Sequence, residues 1–270
     1  GIYAVTFSSD GNFIAGVNGY NLIVWNIADD APLWFIEISS FEGITDLEFS
    51  PDSRLLISTS YFADSDTRVW SFSDGRLLTS LDYGNQRTVA YDLDGKHIYT
   101  VSRMDGYIYV WDTSTWKETD VIKVPIEHYA LRLILSQNGK IAATISRLDI
   151  DYLGTIHLYL LPDWTYLGNI KDYSQEIYPG SDQPSQRDLT ASPTFNKDGN
   201  ILAFSAFEFE QDGFDREVQF WDVITQKLLL RYPTGLPASI RQTEFSPDGR
   251  LLAAQSENGT IHFLGVPANE

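Results

Sequence analysis

Carboxylates and aromatic rings are the groups in this sequence with most scope for chemistry, and they gather in a few short stretches. "EFEQDG" sets Glu208, Glu210 and Asp212 at alternate positions ahead of Gly213, which is how an oxygen-ligand loop for calcium begins. Such a loop also needs a bidentate glutamate six residues beyond the glycine, and Gln219 stands there. A solvated acidic loop explains the pattern better. Calcium held by Glu208, Glu210 and Asp212, or by Asp149 and Asp151 of "DIDY", is the weaker alternative, and no other cofactor is indicated. The four histidines, His97, His128, His157 and His262, never pair at metal-ligand spacing. A glycosidase needs two facing carboxylates, and a surface this acidic offers too many pairs to choose one. Nucleophile-elbow, P-loop and dinucleotide fingerprints are absent from the sequence, so no catalytic residue is assigned.

Composition narrows the classes further. Lys and Arg number 19 against 37 Asp and Glu, a formal net charge of −18 over 270 residues. That field repels phosphate backbones and anionic headgroups and favours basic partners, so nucleic acid is excluded as a ligand. With 43% hydrophobic and 14% aromatic residues the chain can bury a sizeable core. No apolar run approaches the roughly 18 residues needed to span a bilayer, so membrane insertion is not expected. Absence of cysteine removes disulfides, thiolate metal sites and thiol nucleophiles. It leaves the compartment, cytoplasmic or exported, undetermined.

The elements that must carry these side chains are repeats. "FSSDGNFIAG" from Phe7 returns as "FSPDSRLLIS" from Phe49, "YDLDGKHIYT" from Tyr91 and "LSQNGKIAAT" from Leu135. Further copies are "FNKDGNILAF" from Phe195 and "FSPDGRLLAA" from Phe245, at successive spacings of 42, 42, 44, 60 and 50 residues. A second phrase follows each: "NLIVWN", "DTRVWS", "YIYVWD", "TIHLYL", "EVQFWD" and "TIHFLG". In five of the six copies an alternating strand runs into a tight turn where glycine supplies positive φ, and in the second Ser53 stands in its place. A second strand, a loop and a third strand ending in an aromatic come next, and a weaker fourth appears in "GRLLTSL" and "QKLLLRY". His157 and His262 sit in register with Ile23, Arg68, Tyr109 and Gln219, which marks an ordinary strand position.

Four short antiparallel strands per repeat make a β-propeller blade, which must stack on neighbours to cover its apolar faces. The expectation is an all-β propeller of six four-stranded blades in one domain, 1–270. The repeats run approximately over 2–40, 41–83, 84–126, 127–172, 187–236 and 238–267, with an insertion at 173–186. The last copy ends too soon for a fourth strand. A closing strand, or a seventh blade, is therefore expected upstream, and the chain reads as a domain of a longer polypeptide.

The phrases Phe245-Ser246-Pro247-Asp248-Gly249 and Trp111-Asp112 resemble the WD-repeat family, and the likeness extends along essentially the whole chain. Trp221-Asp222 keeps the eponymous pair as well, while Asn26, Ser71, Leu160 and Gly265 replace its aspartate elsewhere. Gly-His is missing, with Glu42-Gly43 its nearest relic. The family's Asp-His-Ser/Thr-Trp network is thus not expected intact, and aromatic packing between blades should carry more of the stability. The resemblance implies a non-catalytic scaffold that binds a protein or peptide.

In such a propeller the connections between second and third strands open on the same side as the links between blades. "YFADSDT", "RLDIDYLG", "FEFEQDGFDRE" and the long link "KDYSQEIYPGSDQPSQRDLT" are the enlarged ones. All four are expected on one face, where Tyr61, Phe62, Asp64, Asp66, Asp149, Asp151, Tyr152, Phe209, Glu210, Asp212, Phe214, Tyr173 and Tyr178 would form an acidic and aromatic recognition surface. Loop drift is the bland alternative, because closure entropy grows slowly with length. A propeller enzyme or a small-ligand or calcium sensor, with its site at the central channel mouth, is the rival function.

Overall fold

The computed structural model describes residues 4–18, 21–29, 31–38, 43–60, 66–81, 86–102, 105–123, 129–147, 154–171, 193–210, 213–234, 240–246, 248–256 and 260–266. Twenty-three strands form six antiparallel meanders among these residues, five with four strands and one with three. The first sheet contains β1 (Ala4–Phe7), β2 (Phe13–Val17), β3 (Asn21–Asn26) and β4 (Ala31–Glu37). The second contains β5 (Ile44–Phe49), β6 (Leu55–Ser60), β7 (Thr67–Ser71) and β8 (Leu77–Leu81). Strands β9 (Gln86–Tyr91), β10 (His97–Ser102), β11 (Ile108–Asp112) and β12 (Lys117–Ile122) make the third. The fourth has β13 (Tyr129–Leu135), β14 (Ile141–Arg147), β15 (Gly154–Leu160) and β16 (Thr165–Lys171). In the fifth are β17 (Thr194–Phe195), β18 (Ile201–Glu210), β19 (Gly213–Asp222) and β20 (Leu228–Pro233). The last holds only β21 (Ile240–Phe245), β22 (Leu251–Ser256) and β23 (Ile261–Gly265).

The recurring phrase is a hydrogen-bonded turn. Ser50 donates its hydroxyl to Asp52 Oδ1 at 2.6 Å while its oxygen accepts the Leu55 N–H at 2.9 Å, and Asp52 Oδ1 accepts from the Arg54 N–H. Ser8 with Asp10, Ser136 with Asn138 and Ser246 with Asp248 repeat the arrangement. Asp92 and Asn196 replace the serine and still accept the N–H five residues on. Hydrogen bonds from the serine hydroxyls hold the carboxyls of Asp10, Asp52 and Asp248 below the usual range. The aspartate of the second phrase also organises a turn: Asp112 Oδ1 accepts from the Ser114 and Thr115 amides and hydroxyls, which lowers its pKa to about 2. Asp222 does the same with Thr225.

Two compact units divide the chain, Gly1–Leu133 and Ile134–Glu270. Within the first, the Ala15 and Val24 side of sheet one packs on Leu47, Phe49, Leu56 and Trp70 of sheet two. The far side of sheet two, Ile57 and Val69, packs on Tyr91, Ile98 and Trp111 of sheet three. In the second unit, Ala143 and Leu158 meet Phe195, Leu202 and Phe204, and Ala203 and Phe220 meet Phe245, Leu252 and Leu264. Each buried aliphatic or aromatic side chain contributes about 1.5–3 kcal/mol. In all five four-stranded sheets the pairing of third and fourth strands slips by one residue at the aromatic, as between Val69 and Trp70.

Neighbouring turns also touch. Ser9 N–H donates to Ser53 Oγ at 3.1 Å, and Asn138 Nδ2 donates to the Asp198 carbonyl. Gly199 has a φ of 68°, and a Cβ there would lie 2.9 Å from Ser136 Cβ, whereas Gly249, at 71°, has open space around it. Gly249→Ala should therefore cost only the left-handed backbone penalty, about 1–2 kcal/mol. Gly199→Ala should cost about 1–3 kcal/mol more through overpacking. Urea denaturation of the two variants checks this, and equal losses would remove the Ser136 contact from the explanation.

Candidate functional site

The sequence places the candidate surface on the connections between second and third strands. Tyr61, Phe62, Asp64, Asp149, Asp151, Tyr152, Tyr173, Tyr178 and Asp212 lie outside the described residues. Asp66 is described, half-buried immediately ahead of β7. For Glu208, Phe209, Glu210 and Phe214 the backbone is described, and it corrects one reading. "FEFEQDGFDRE" is not an enlarged loop. β18 and β19 pair continuously from Ile201↔Asp222 to Glu210↔Gly213. The segment alternates phenylalanine and glutamate with period two, a strand pattern.

Pairing with β20 reaches only Glu217↔Pro233. Beyond it β18 and β19 continue as a two-stranded ribbon, with Phe209 opposite Phe214 and Glu208 opposite Asp215.

The first unit holds a second polar assembly that sequence spacing did not reveal. Asp46 on β5 accepts hydrogen bonds at Oδ2 from Thr88 Oγ1 (2.8 Å) and Val89 N–H (3.3 Å) on β9. Thr88 Oγ1 also lies 3.4 Å from the Leu133 carbonyl on β13. Glu48, two residues along β5, retains partial solvent access but is enclosed by protein atoms. Burial, reinforced by the Asp46 charge and partly offset by Arg132, pushes its carboxyl up to about 8. Burial, with the Glu48 and Asp52 charges, raises the Tyr91 phenol as well. Nearby, Thr45 Oγ1 bridges Thr59 Oγ1 and the Gln86 carbonyl. The buried Gln86 amide and the Thr67 hydroxyl have no hydrogen-bond partner among the described residues, an arrangement that a folded chain ordinarily avoids.

Three of the histidines, His97, His157 and His262, lie on strands. His157 is buried between Ser146 Oγ (3.1 Å) and Tyr166 OH (3.3 Å), His97 Nδ1 lies 2.8 Å from Asp92 Oδ2, and His262 is on β23. His128 lies outside the described residues. Half of the Asp-His-Ser/Thr-Trp network that the resemblance implies is present in sheets two and three. Trp70 Nε1 donates to Ser58 Oγ at 2.9 Å, and Trp111 Nε1 to Thr100 Oγ1 at 3.0 Å. In the fifth sheet Trp221 donates to Gln219, Gln219 to Glu217, and Arg231 closes on Glu217 at 3.2 Å.

A family model described as "WD domain, G-beta repeat" (WD40) matches residues 36–71 and 74–112. The chain is a β-propeller that carries WD40 repeats. Its six sheets are the blades, the last of them three-stranded. It is 25% identical over 97% of its length to Periodic tryptophan protein 2 of Saccharomyces cerevisiae, and 25% identical over 80% of its length to the protein of that name in Arabidopsis thaliana. This homology is distant, and the chain spans 30% and 21% of those relatives. Among solved structures, Kuenenia stuttgartiensis hydrazine synthase superimposes on 98% of the chain with a TM-score of 0.81 at 14% identity, covering 76% of the neighbour. The β-propeller domain of Myceliophteria thermophila Cps50 (Swd1) superimposes on 98% with a TM-score of 0.80 at 15% identity, covering 83% of that domain's chain. About a sixth of the Cps50 chain is left unmatched. These two likenesses establish the fold. WD40 propellers generally bind proteins, typically as scaffolds, and are usually non-catalytic.

Glu48 gives the first unit a pH signature. Its folded pKa, about 8, lies above the ordinary 4.5, so its contribution to stability is complete below pH 4.5 and is lost as pH rises through 8. Glu48→Gln should stabilise the protein by about 1–3 kcal/mol at pH 8.5 and by far less at pH 5. Thermal melts at the two values check this; an equal gain at both would assign the effect to packing.

Proposed function

We propose that this propeller is a non-catalytic interaction module that binds a basic protein or peptide through its second-to-third-strand connections, centred on the β18–β19 ribbon. The register of that ribbon carries the reading. Four cross-strand pairs run past the end of the pairing with β20 and set Phe209 against Phe214 and Glu208 against Asp215. Aromatic residues are effective anchors at interfaces, and the acidic residues of the same segment suit the cationic groups of a basic partner. The −18 net charge would speed approach of such a partner by about 10- to 1,000-fold at low salt. Asp149, Asp151, Asp212, Tyr152, Tyr173 and Tyr178 extend the proposed surface along connections around the fourth and fifth blades.

Immobilised wild type and the variant Asp149→Asn, Asp151→Asn, Glu210→Gln, Asp212→Asn, incubated with a lysate of the source cells, provide the test. Partners of the wild type should elute as salt rises from about 50 to about 200 mM, and the variant should recover about tenfold less. Equal recovery by both proteins would remove the surface.

A further inference from the structure

Among the described residues, the β18–β19 ribbon has no third strand. In the other four-stranded sheets the fourth strand follows the third to its first or second residue, reaching Asn21↔Glu37, Thr67↔Leu81, Ile108↔Ile122 and Thr155↔Lys171. In the fifth, β20 stops opposite Glu217, and Gly213–Arg216 of β19 pair only with Phe207–Glu210 of β18. The other edge of the ribbon is no better covered, because β17 pairs only with Leu202 and Ala203. A two-stranded ribbon is marginal in water, and a third strand is what ordinarily makes such an element persist. A sheet edge of this kind is also a template for pairing with another chain.

Two observations say what kind of strand fits. The line of β20 leads into the open edge of β19, but the sequence that ends β20, "PTGLP", is poorly suited to extend it. It sets Pro233, Gly235 and Pro237 close together, and proline cannot donate to a ladder. The place beside Gly213–Arg216 therefore suits a segment from elsewhere, lying antiparallel to β19 as β20 does. Charge gives the composition of that segment. The ribbon's sequence holds Glu208, Glu210, Asp212 and Asp215 against Arg216, so opposite charges on the added strand would pair favourably.

We propose that the β19 edge at Gly213–Arg216 takes an extended basic segment of a partner protein as an added antiparallel strand, in line with β20. This rests on the ribbon's being the binding element proposed above, and it adds the manner of binding. Main-chain hydrogen bonds give affinity and direction, and alternate side chains of the segment give the match in charge. A basic partner presented as a helix could not use the edge.

An alternating lysine–valine peptide of about eight residues is a suitable probe, because alternation places its cations on one face of a strand. Its twin has every backbone amide N-methylated, which keeps the charge and removes the main-chain donors. Calorimetric titration of the protein with each peptide gives the affinities, and amide hydrogen exchange locates the contact. The plain peptide should slow exchange within Gly213–Arg216 at least about tenfold, and the twin should bind at least about tenfold more weakly. Equal affinity of the two peptides overturns strand addition. If that shared affinity also falls in the variant Asp149→Asn, Asp151→Asn, Glu210→Gln, Asp212→Asn, the acidic surface stands as a purely electrostatic one. Binding without slowed exchange at Gly213–Arg216 overturns strand addition as well. So does binding of neither peptide, a result that leaves the acidic surface to be judged by the lysate capture.

Discussion

Everything in this molecule follows from the fact that a four-stranded meander with apolar residues on both faces cannot cover itself. Alternation puts Leu56 and Ser58 on one side of β6 and Ile57 and Thr59 on the other, and all four are buried. A sheet of this kind is stable only between two others. The seams satisfy that demand with a short list of positions, so the repeat can diverge almost everywhere else. Spacings of 42 to 60 residues are compatible with one architecture because the extra length falls outside the seam positions, in connections, where closure entropy is forgiving, or in the extension of β18 and β19.

The same constraint decides which polar groups recur. A blade edge must reverse the chain tightly, and the Ser-x-Asp-Gly turn does so by using two side chains to satisfy backbone N–H groups of the turn and of the strand that follows. The indole N–H of the third-strand tryptophan is buried with its ring and must also find an acceptor. Ser58 and Thr100 provide one directly across the strand pair, whereas Gln219 provides one from within β19 and passes the demand on to Glu217 and Arg231. Sheet four, with Tyr159 in place of tryptophan, instead binds His157 between Ser146 and Tyr166. The requirement is for satisfied donors, not for particular residues, which is why Gly-His could be lost without loss of the fold.

Local patterns were legible in the sequence and assembled ones were not. Asp-Gly turns, period-two alternation and the terminal aromatic of "YIYVWD" lie within a dozen residues of each other, and they specified the blades and even the three-stranded last sheet. The β18–β19 ribbon was equally local, but charged residues in "FEFEQDGFDRE" suggested a solvated loop although the alternation was that of a strand. The cluster of Asp46, Glu48, Thr88 and Arg132 could not be read at all. Its members come from three strands some forty residues apart, and each alone resembles an ordinary polar residue on an inner strand. Its only trace in the sequence was two acids, Asp46 and Glu48, on a strand whose neighbours are apolar.

The fates of the carboxylates differ in a way that bears on recognition. Asp10, Asp52, Asp112, Asp222 and Asp248 remain ionised at any ordinary pH because hydroxyl and amide donors stabilise the charge, and those same donors turn their oxygens inward to the turn. Glu48 escapes the cost of burial by keeping its proton up to about pH 8. Neither class offers a strong, free anion to a partner. The attraction implied by a net charge of −18 must therefore come from the remaining acids, and the connections between second and third strands are where these are densest in the sequence. A scaffold that commits its turn aspartates to holding the backbone can vary the acids of its connections without risk to the fold.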